Sequence, residues 1–247
     1  MKKTIQRVAV IAALMAAAAL IGAFVFLATP ATLMPEASAA LRSSESVEFS
    51  EAGGWLTFTP LNAEPQAGVI FYPGGRVPPA AYAPAMRAIA EQGYLTVIVP
   101  MPLNLALLNV EGAAPVQAAY PAIKRWAIGG HSLGGVAAVE YAAKNPGAVQ
   151  GLYLWASYAN SNVSGQPLAA LSVYGALENT RADYISAQAQ SRLPAGAVFV
   201  AIAGGNHEQF GYYTGQPGDA VPQTAREVQQ AQVVEATLAL LAKLTAR

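Results

Sequence analysis

The chain has 247 residues and no cysteine, which excludes disulfides, thiolate metal sites and lipid-modified cysteines. Histidine is nearly as scarce, at two residues. Charge is sparse as well: 14 basic and 14 acidic residues make up 11% of the chain and leave a formal net charge of +0. With no basic patch and no aromatic RNA-binding signature, nothing points to a nucleic-acid partner. Neither G-x-G-x-x-G nor G-x-x-x-x-G-K-[ST] stands at a strand end, which excludes a glycine-rich nucleotide cradle. No internal repeat is apparent.

What the chain has instead is apolar surface, at 54% hydrophobic residues, and part of the excess lies at the N-terminus. Val8 to Ala28 is 21 residues (28 − 8 + 1) without a charge. As a helix rising about 1.5 Å per residue it would be roughly 31 Å long, against a bilayer core of about 30 Å. Lys2, Lys3 and Arg7 precede it, so the positive-inside rule leaves the N-terminus in the cytoplasm and carries the rest outside. Two readings compete: an uncleaved membrane anchor, or a secretory signal cut at Ala37-Ser38-Ala39. The stretch exceeds the usual apolar core of a signal, and the candidate cut lies eleven residues (39 − 28) beyond Ala28, so the anchor is preferred. Residues 29–45, rich in Ala, Pro and Ser, read as a linker, and 46–247 as one folded domain with a substantial core.

Within that domain, Val47–Phe49 and Trp55–Phe58 flank Gly53-Gly54 as a hairpin. Apolar β-rich runs succeed it at Val69–Tyr72, Tyr94–Val99, Trp126–Ile128, Val149–Trp155, Leu171–Tyr174 and Ala197–Ile202. Helical patterns lie between them at Ala80–Glu91, within Leu103–Tyr120, and at Val136–Lys144 and Tyr184–Ser191, with a last helix from about Pro222 to Ala242. Continuous apolar strands alternating with helices predict an α/β fold with a mostly parallel sheet covered on both faces. Only fifteen residues (170 − 156 + 1) separate Trp155 from Leu171, too few for a large cap domain. The site is therefore expected to be open, with Tyr72, Tyr158, Phe210, Tyr212 and Tyr213 among its walls.

The chemistry concentrates at Gly130-His131-Ser132-Leu133-Gly134, a G-x-S-x-G sequence between an apolar strand and a helical pattern. A serine on so sharp a strand-to-helix turn is strained, and side chains two residues before and after it would collide, so both positions require glycine. The turn exposes the hydroxyl and aims a helix N-terminus at it. His131 cannot fold back onto its neighbour as a base. That leaves His207, 75 residues downstream (207 − 132), in a glycine-rich loop after the run Ala197–Ile202. In the chain order serine, acid, histidine, the acid lies among Glu140, Glu178 and Asp183. Glu140 falls on the helix after the elbow. Glu178 stands at a strand end and is the choice, while Asp183 suits a helix start and remains the alternative. The oxyanion hole is expected from the backbone N–H of Leu133 and a second donor in Pro73-Gly74-Gly75-Arg76, with Gly75 preferred over Arg76.

Four segments carry a family resemblance: Val69 to Gly75 with Tyr82-Ala83-Pro84, Gly93 to Leu108, Gly129 to Gly135, and Gly204 to Asp219. In these the chain resembles the compact bacterial α/β-hydrolases related to dienelactone hydrolases. The resemblance implies an α/β-hydrolase fold and a serine–acid–histidine hydrolase acting on a small ester or related acyl substrate, with no metal or organic cofactor. Two departures limit it. The family's acid is usually Asp, whereas Glu178 stands here, and dienelactone hydrolases carry cysteine at the elbow, so their substrate does not transfer. Haloalkane and epoxide hydrolases of similar fold carry Asp at the elbow and are set aside. The competing reading is a non-catalytic extracytoplasmic binding module on the same fold, because a fold alone does not establish chemistry. Acyl length, ester versus lactone or amide, and oligomeric state are left open by these residues.

Overall fold

The computed structural model describes residues 2–178 and 181–246. The chain opens with helix α1 (Lys2–Ala28), strand β1 (Thr32–Leu33) and helix α2 (Pro35–Ala40). The antiparallel hairpin β2 (Val47–Ser50) and β3 (Leu56–Pro60) forms where the Gly-Gly turn predicts it, with Gly53 and Gly54 both at positive φ. Then come β4 (Gly68–Tyr72), α3 (Ala83–Ala90), β5 (Leu95–Ile98), α4 (Ala113–Ala119), β6 (Trp126–His131), α5 (Leu133–Lys144), β7 (Gly151–Trp155) and β8 (Ala169–Gly175). The chain closes with two short helices, α6 (Arg181–Ile185) and α7 (Ala187–Ser191), and then β9 (Val198–Ile202), β10 (Tyr213–Thr214) and α8 (Arg226–Thr245).

Eight strands form one sheet in the order β2-β3-β5-β4-β6-β7-β8-β9. β2 and β3 run antiparallel at one edge, and all pairs from β5 to β9 are parallel. Side chains alternate between two cores. Val69, Phe71, Tyr153 and Trp155 enter one together with Met86 and Ile89 of α3 and Leu240 and Leu241 of α8. Ile70, Tyr72, Leu152 and Leu154 enter the other, with Val116 of α4 and Ala137 and Tyr141 of α5. The central strands β4, β6 and β7 are buried along their whole length, which explains their uninterrupted apolar sequence. Among the described residues no helix stands between β7 and β8.

Two expectations need correction. Residues 29–45 are not a free linker. β1 pairs with β10, and α2 packs on α3, where the Arg87 guanidinium donates to the carbonyls of Ala40 and Arg42. Proline and alanine make this segment look like a spacer, but the contacts that order it are distant in sequence. The last helix begins at Arg226, after the Pro222 segment rather than within it, whereas the helical pattern expected within 103–120 forms as α4 after three 3₁₀ turns. Among the described residues no helix is long and apolar enough to cross a membrane.

Candidate active site

Parallel strands place the loops that leave their C-terminal ends at one edge of the sheet, and the loops after β4, β6, β8 and β9 bring the expected residues together there. Ser132 sits between β6 and α5 with φ 51° and ψ −120°, a conformation that costs a non-glycine residue about 1–3 kcal/mol. The turn is pinned on both sides. Ser132 N–H donates to the carbonyl of Trp155 at 2.9 Å. Its own carbonyl accepts from Gly135 N–H at 3.0 Å and from the Ser157 hydroxyl at 2.7 Å. The flanking glycines are required by the neighbouring strand. A Cβ at Gly130 would lie 2.4 Å from the carbonyl oxygen of Tyr72, and one at Gly134 only 2.0 Å from it.

His207 stands at the start of the 3₁₀ turn Glu208–Phe210 in the loop after β9, held from two directions. Its backbone N–H donates to the Asp219 carboxylate at 3.2 Å, and the other Asp219 oxygen takes Glu208 N–H at 2.7 Å. On α8, Gln229 clamps Asn206, accepting its N–H at 3.1 Å and donating to its carbonyl at 2.8 Å. The His207 ring meets Glu178, with Nδ1 2.8 Å from Oε2. Glu178 is 1% exposed, and donors converge on its carboxylate. Gly175 N–H gives to Oε1 at 2.6 Å, and the Tyr184 hydroxyl gives to Oε2 at 3.0 Å. A carboxylate can only accept, so the proton between it and His207 resides on Nδ1, and Nε2 is the ring's basic atom.

Ser132, Leu133, Glu178, Tyr184 and His207 line one cavity of about 350 Å³, at the small end of the range for ligand sites. Asp183 lines it too, but its side chain is exposed and no bond joins it to His207; of the two candidate acids, Glu178 is the one in contact. Glu140 is bound elsewhere, to Ser161 and Lys144, and the Ser161 hydroxyl in particular holds its carboxyl below the usual range.

Leu133 opens α5, where the first N–H groups have no partner inside the helix. Gly75 lies against it: a Cβ there would come 3.3 Å from the Leu133 side chain. Arg76 is unsuited as the alternative donor, because its N–H is committed to the Asn104 carbonyl at 2.9 Å and its guanidinium reaches the Thr29 carbonyl at 3.2 Å. The neighbouring Gly74 N–H is likewise taken, by the Tyr82 hydroxyl at 3.0 Å.

His131 is fully buried behind the site. Having accepted from Gly74, the Tyr82 hydroxyl donates to His131 Nδ1 at 2.8 Å, and the imidazole stacks on Phe210 and approaches His207 with ring centroids 4.4 Å apart. Burial, and then the neighbouring His207, push its pKa well below the ordinary value and keep it neutral.

Of the expected aromatic walls only Tyr158 reaches the cavity. Tyr72 is a core residue whose hydroxyl bridges Val110 carbonyl and Ala113 N–H at 2.7 Å each; Phe210 and Tyr213 are buried, and Tyr212 lies away from the cavity. Sequence reasoning missed Tyr184, Ser157 and Asp219. Tyr184 opens a predicted helical pattern and Asp219 closes one of the four family-like segments, but neither position signals its partner; the contacts form where α6 and the loops after β7 and β9 meet at the sheet edge. Among the described residues no group of three or more His, Asp or Glu is placed to hold a metal ion.

No curated protein matches the chain in sequence. Among solved structures, Est1E from Butyrivibrio proteoclasticus is similar in fold at a TM-score of 0.56 and 15% identity, covering 80% of this chain and 100% of that one. TT1662 from Thermus thermophilus is similar at 0.53 and 12% identity, with 81% and 98% covered. The model of the alpha/beta hydrolase family matches residues 68–231, a span that includes Ser132, Glu178 and His207, and the chain belongs to that family.

Proposed function

We propose that the protein is a serine hydrolase that cleaves small esters through Ser132, Glu178 and His207. The observation that carries this reading is the 2.8 Å contact between Glu178 and His207 Nδ1, made on the wall of the cavity that Ser132 also lines. With Nδ1 holding a proton for Glu178, Nε2 takes the proton from the Ser132 hydroxyl as it attacks the ester carbonyl. The carbonyl oxygen gains charge and is met by the N–H groups of Leu133 at the start of α5 and of Gly75 in the loop after β4. His207 then returns its proton to the leaving alcohol, and the acyl-serine is hydrolysed by a water that the same nitrogen activates. Glu178 steers the imidazole and stabilises its charged form. A cavity of about 350 Å³ suits short acyl groups.

The test is labelling of the full chain with a fluorophosphonate probe, which reacts only with an activated serine. The expected result is labelling of the protein and none of Ser132→Ala or His207→Ala. A folded protein that takes up no probe would instead support a binding module on this fold.

We further infer that residues 1–28 are an uncleaved anchor that holds the domain outside the cytoplasm. This rests on the uncharged stretch Val8–Ala28 and the cations before it, since no described helix by itself reaches the length and hydropathy of a span. A second support comes from α2. The candidate signal cut after Ala39 falls inside that helix, and cutting there would remove β1 from its partner β10 and the buried Ala37 from the core. Membranes washed with alkaline carbonate should retain the protein at its full mass of 25.5 kDa. Release at a mass lacking the first 39 residues would mean cleavage.

A further inference from the structure

The point where α1 leaves the domain is fixed against the active-site rim. Arg76, next to Gly75, donates from Nε to the Thr29 carbonyl at 3.2 Å and accepts from Ala31 N–H at 2.7 Å. β1 then pairs with β10, and Met34 N–H donates to the Tyr212 carbonyl at 3.0 Å, both in the segment after His207. An anchor ending at Ala28 therefore emerges beside the cavity mouth and not from the far side of the domain.

The same rim carries an apolar projection. Val99 to Val110 is twelve residues (110 − 99 + 1) without a charge. Its turn is tied to the exit point by the bond from Arg76 N–H to the Asn104 carbonyl, and α1 packs on Pro102–Asn104. Leu103, Leu107 and Leu108 stand there 43%, 50% and 56% exposed. Leu103 and Asn104 are both held at positive φ, an arrangement non-glycine residues avoid unless the surrounding structure imposes it. Tyr158 and Val221, also exposed, come after β7 and β9 and so share this edge of the sheet.

We propose that this rim rests on the lipid surface, with Leu103, Leu107 and Leu108 in the headgroup–acyl boundary and the cavity mouth facing the membrane interface. The inference depends on the anchor reading above. Lipid is the occupant because the anchor ends at Ala28, one residue before the Thr29 carbonyl that Arg76 holds. Tethering makes the contact intramolecular in effect, so a small apolar area suffices to hold it. Three half-exposed leucines fall well short of the roughly 800 Å² per partner that a stable dimer buries. The consequence for function is orientation: an ester dissolved in the interface reaches Ser132 without crossing the aqueous phase.

The absence of cysteine makes the test direct, because a single introduced cysteine is the only labelling site. Full-length Leu107→Cys and Leu108→Cys, each carrying an environment-sensitive NBD label, are reconstituted in phosphatidylcholine vesicles. Leu61→Cys and Val198→Cys serve as controls, since both are exposed at the opposite edge of the sheet. The expected result is blue-shifted emission at 107 and 108, with quenching by nitroxide-labelled lipid that places the probe about 5–10 Å into the boundary, and water-like emission at 61 and 198. Water-like emission at 107 and 108 in protein that floats with the vesicles would overturn the docking and leave the anchor standing. Protein that does not float with vesicles at all would overturn both. A shift that depends on protein concentration and is indifferent to the nitroxide lipid would overturn the docking too, and assign the patch to a second copy of the chain.

Discussion

Replacing Glu178 by Gln removes a charge while keeping the side chain's shape, and the surrounding donors dictate how the amide must sit. Gly175 N–H, 2.6 Å from Oε1, cannot turn away, so the amide must present its oxygen there. Its NH₂ then occupies the place of Oε2 and faces both the Tyr184 hydroxyl, now 3.0 Å away, and His207 Nδ1 at 2.8 Å. The hydroxyl can reverse and accept, but the imidazole can accept only by moving its proton to Nε2. That is the tautomer with no base towards Ser132. The same inversion in a serine protease triad costs about 10⁴ in kcat, or roughly 5.5 kcal/mol at 1.36 kcal/mol per decade. Stability changes less, by about 1–3 kcal/mol, because one set of charge-assisted bonds gives way to neutral ones. The assay is kcat/KM on p-nitrophenyl acetate together with the rate of fluorophosphonate labelling, each beside a thermal melt. Asp183→Asn, whose side chain is exposed and makes no hydrogen bond to His207, should stay within about twofold, as surface changes do. A Glu178→Gln enzyme within about tenfold of the parent, or a collapse in Asp183→Asn alone, would refute the assignment of the acid.

Gly134→Ala should destabilise the fold by about 3 kcal/mol or more, a drop of roughly 6–12 °C in melting temperature, because its Cβ meets a backbone carbonyl in the buried strand β4. Ser132→Gly should be more stable than Ser132→Ala by about 1 kcal/mol in urea unfolding, since both lack the hydroxyl but only glycine relieves the positive φ. Stability should also fall as the pH drops below about 6.5, in part through His131. In the unfolded chain His131 binds a proton there, whereas burial keeps it neutral in the fold, so the unfolded state takes up more protons and the loss approaches about 1.4 kcal/mol per pH unit. His131→Gln, judged by urea titrations between about pH 5 and 6.5, should flatten that slope even if it lowers stability throughout. An unchanged slope would mean that His131 is not held neutral among Tyr82, His207, Phe210 and Tyr213.

How far the sequence reached depended on whether the controlling interactions are local. The α/β alternation, the glycine-flanked serine and the histidine in its loop were legible because strand periodicity, turn sterics and chain order act over a few residues. With only two histidines, elimination alone singled out His207. The choice of Glu178 over Asp183 was a reading of strand ends in the sequence, and only the fold set one beside the ring and the other in solvent. Arg76 could not be discounted without the bond from its N–H to the Asn104 carbonyl, and although Tyr184 opens a helical pattern and Asp219 closes a family-like segment, their partners are set only when the sheet closes. The segment after Ala28 was misjudged for the same reason. Its Pro- and Ala-rich composition describes a spacer, while β1 and α2 owe their order to β10 and α3, some 40 to 180 residues away along the chain. Composition and short-range spacing thus determined which chemistry the chain can support, while long-range packing decided which carboxylate meets His207 and where the chain leaves the domain.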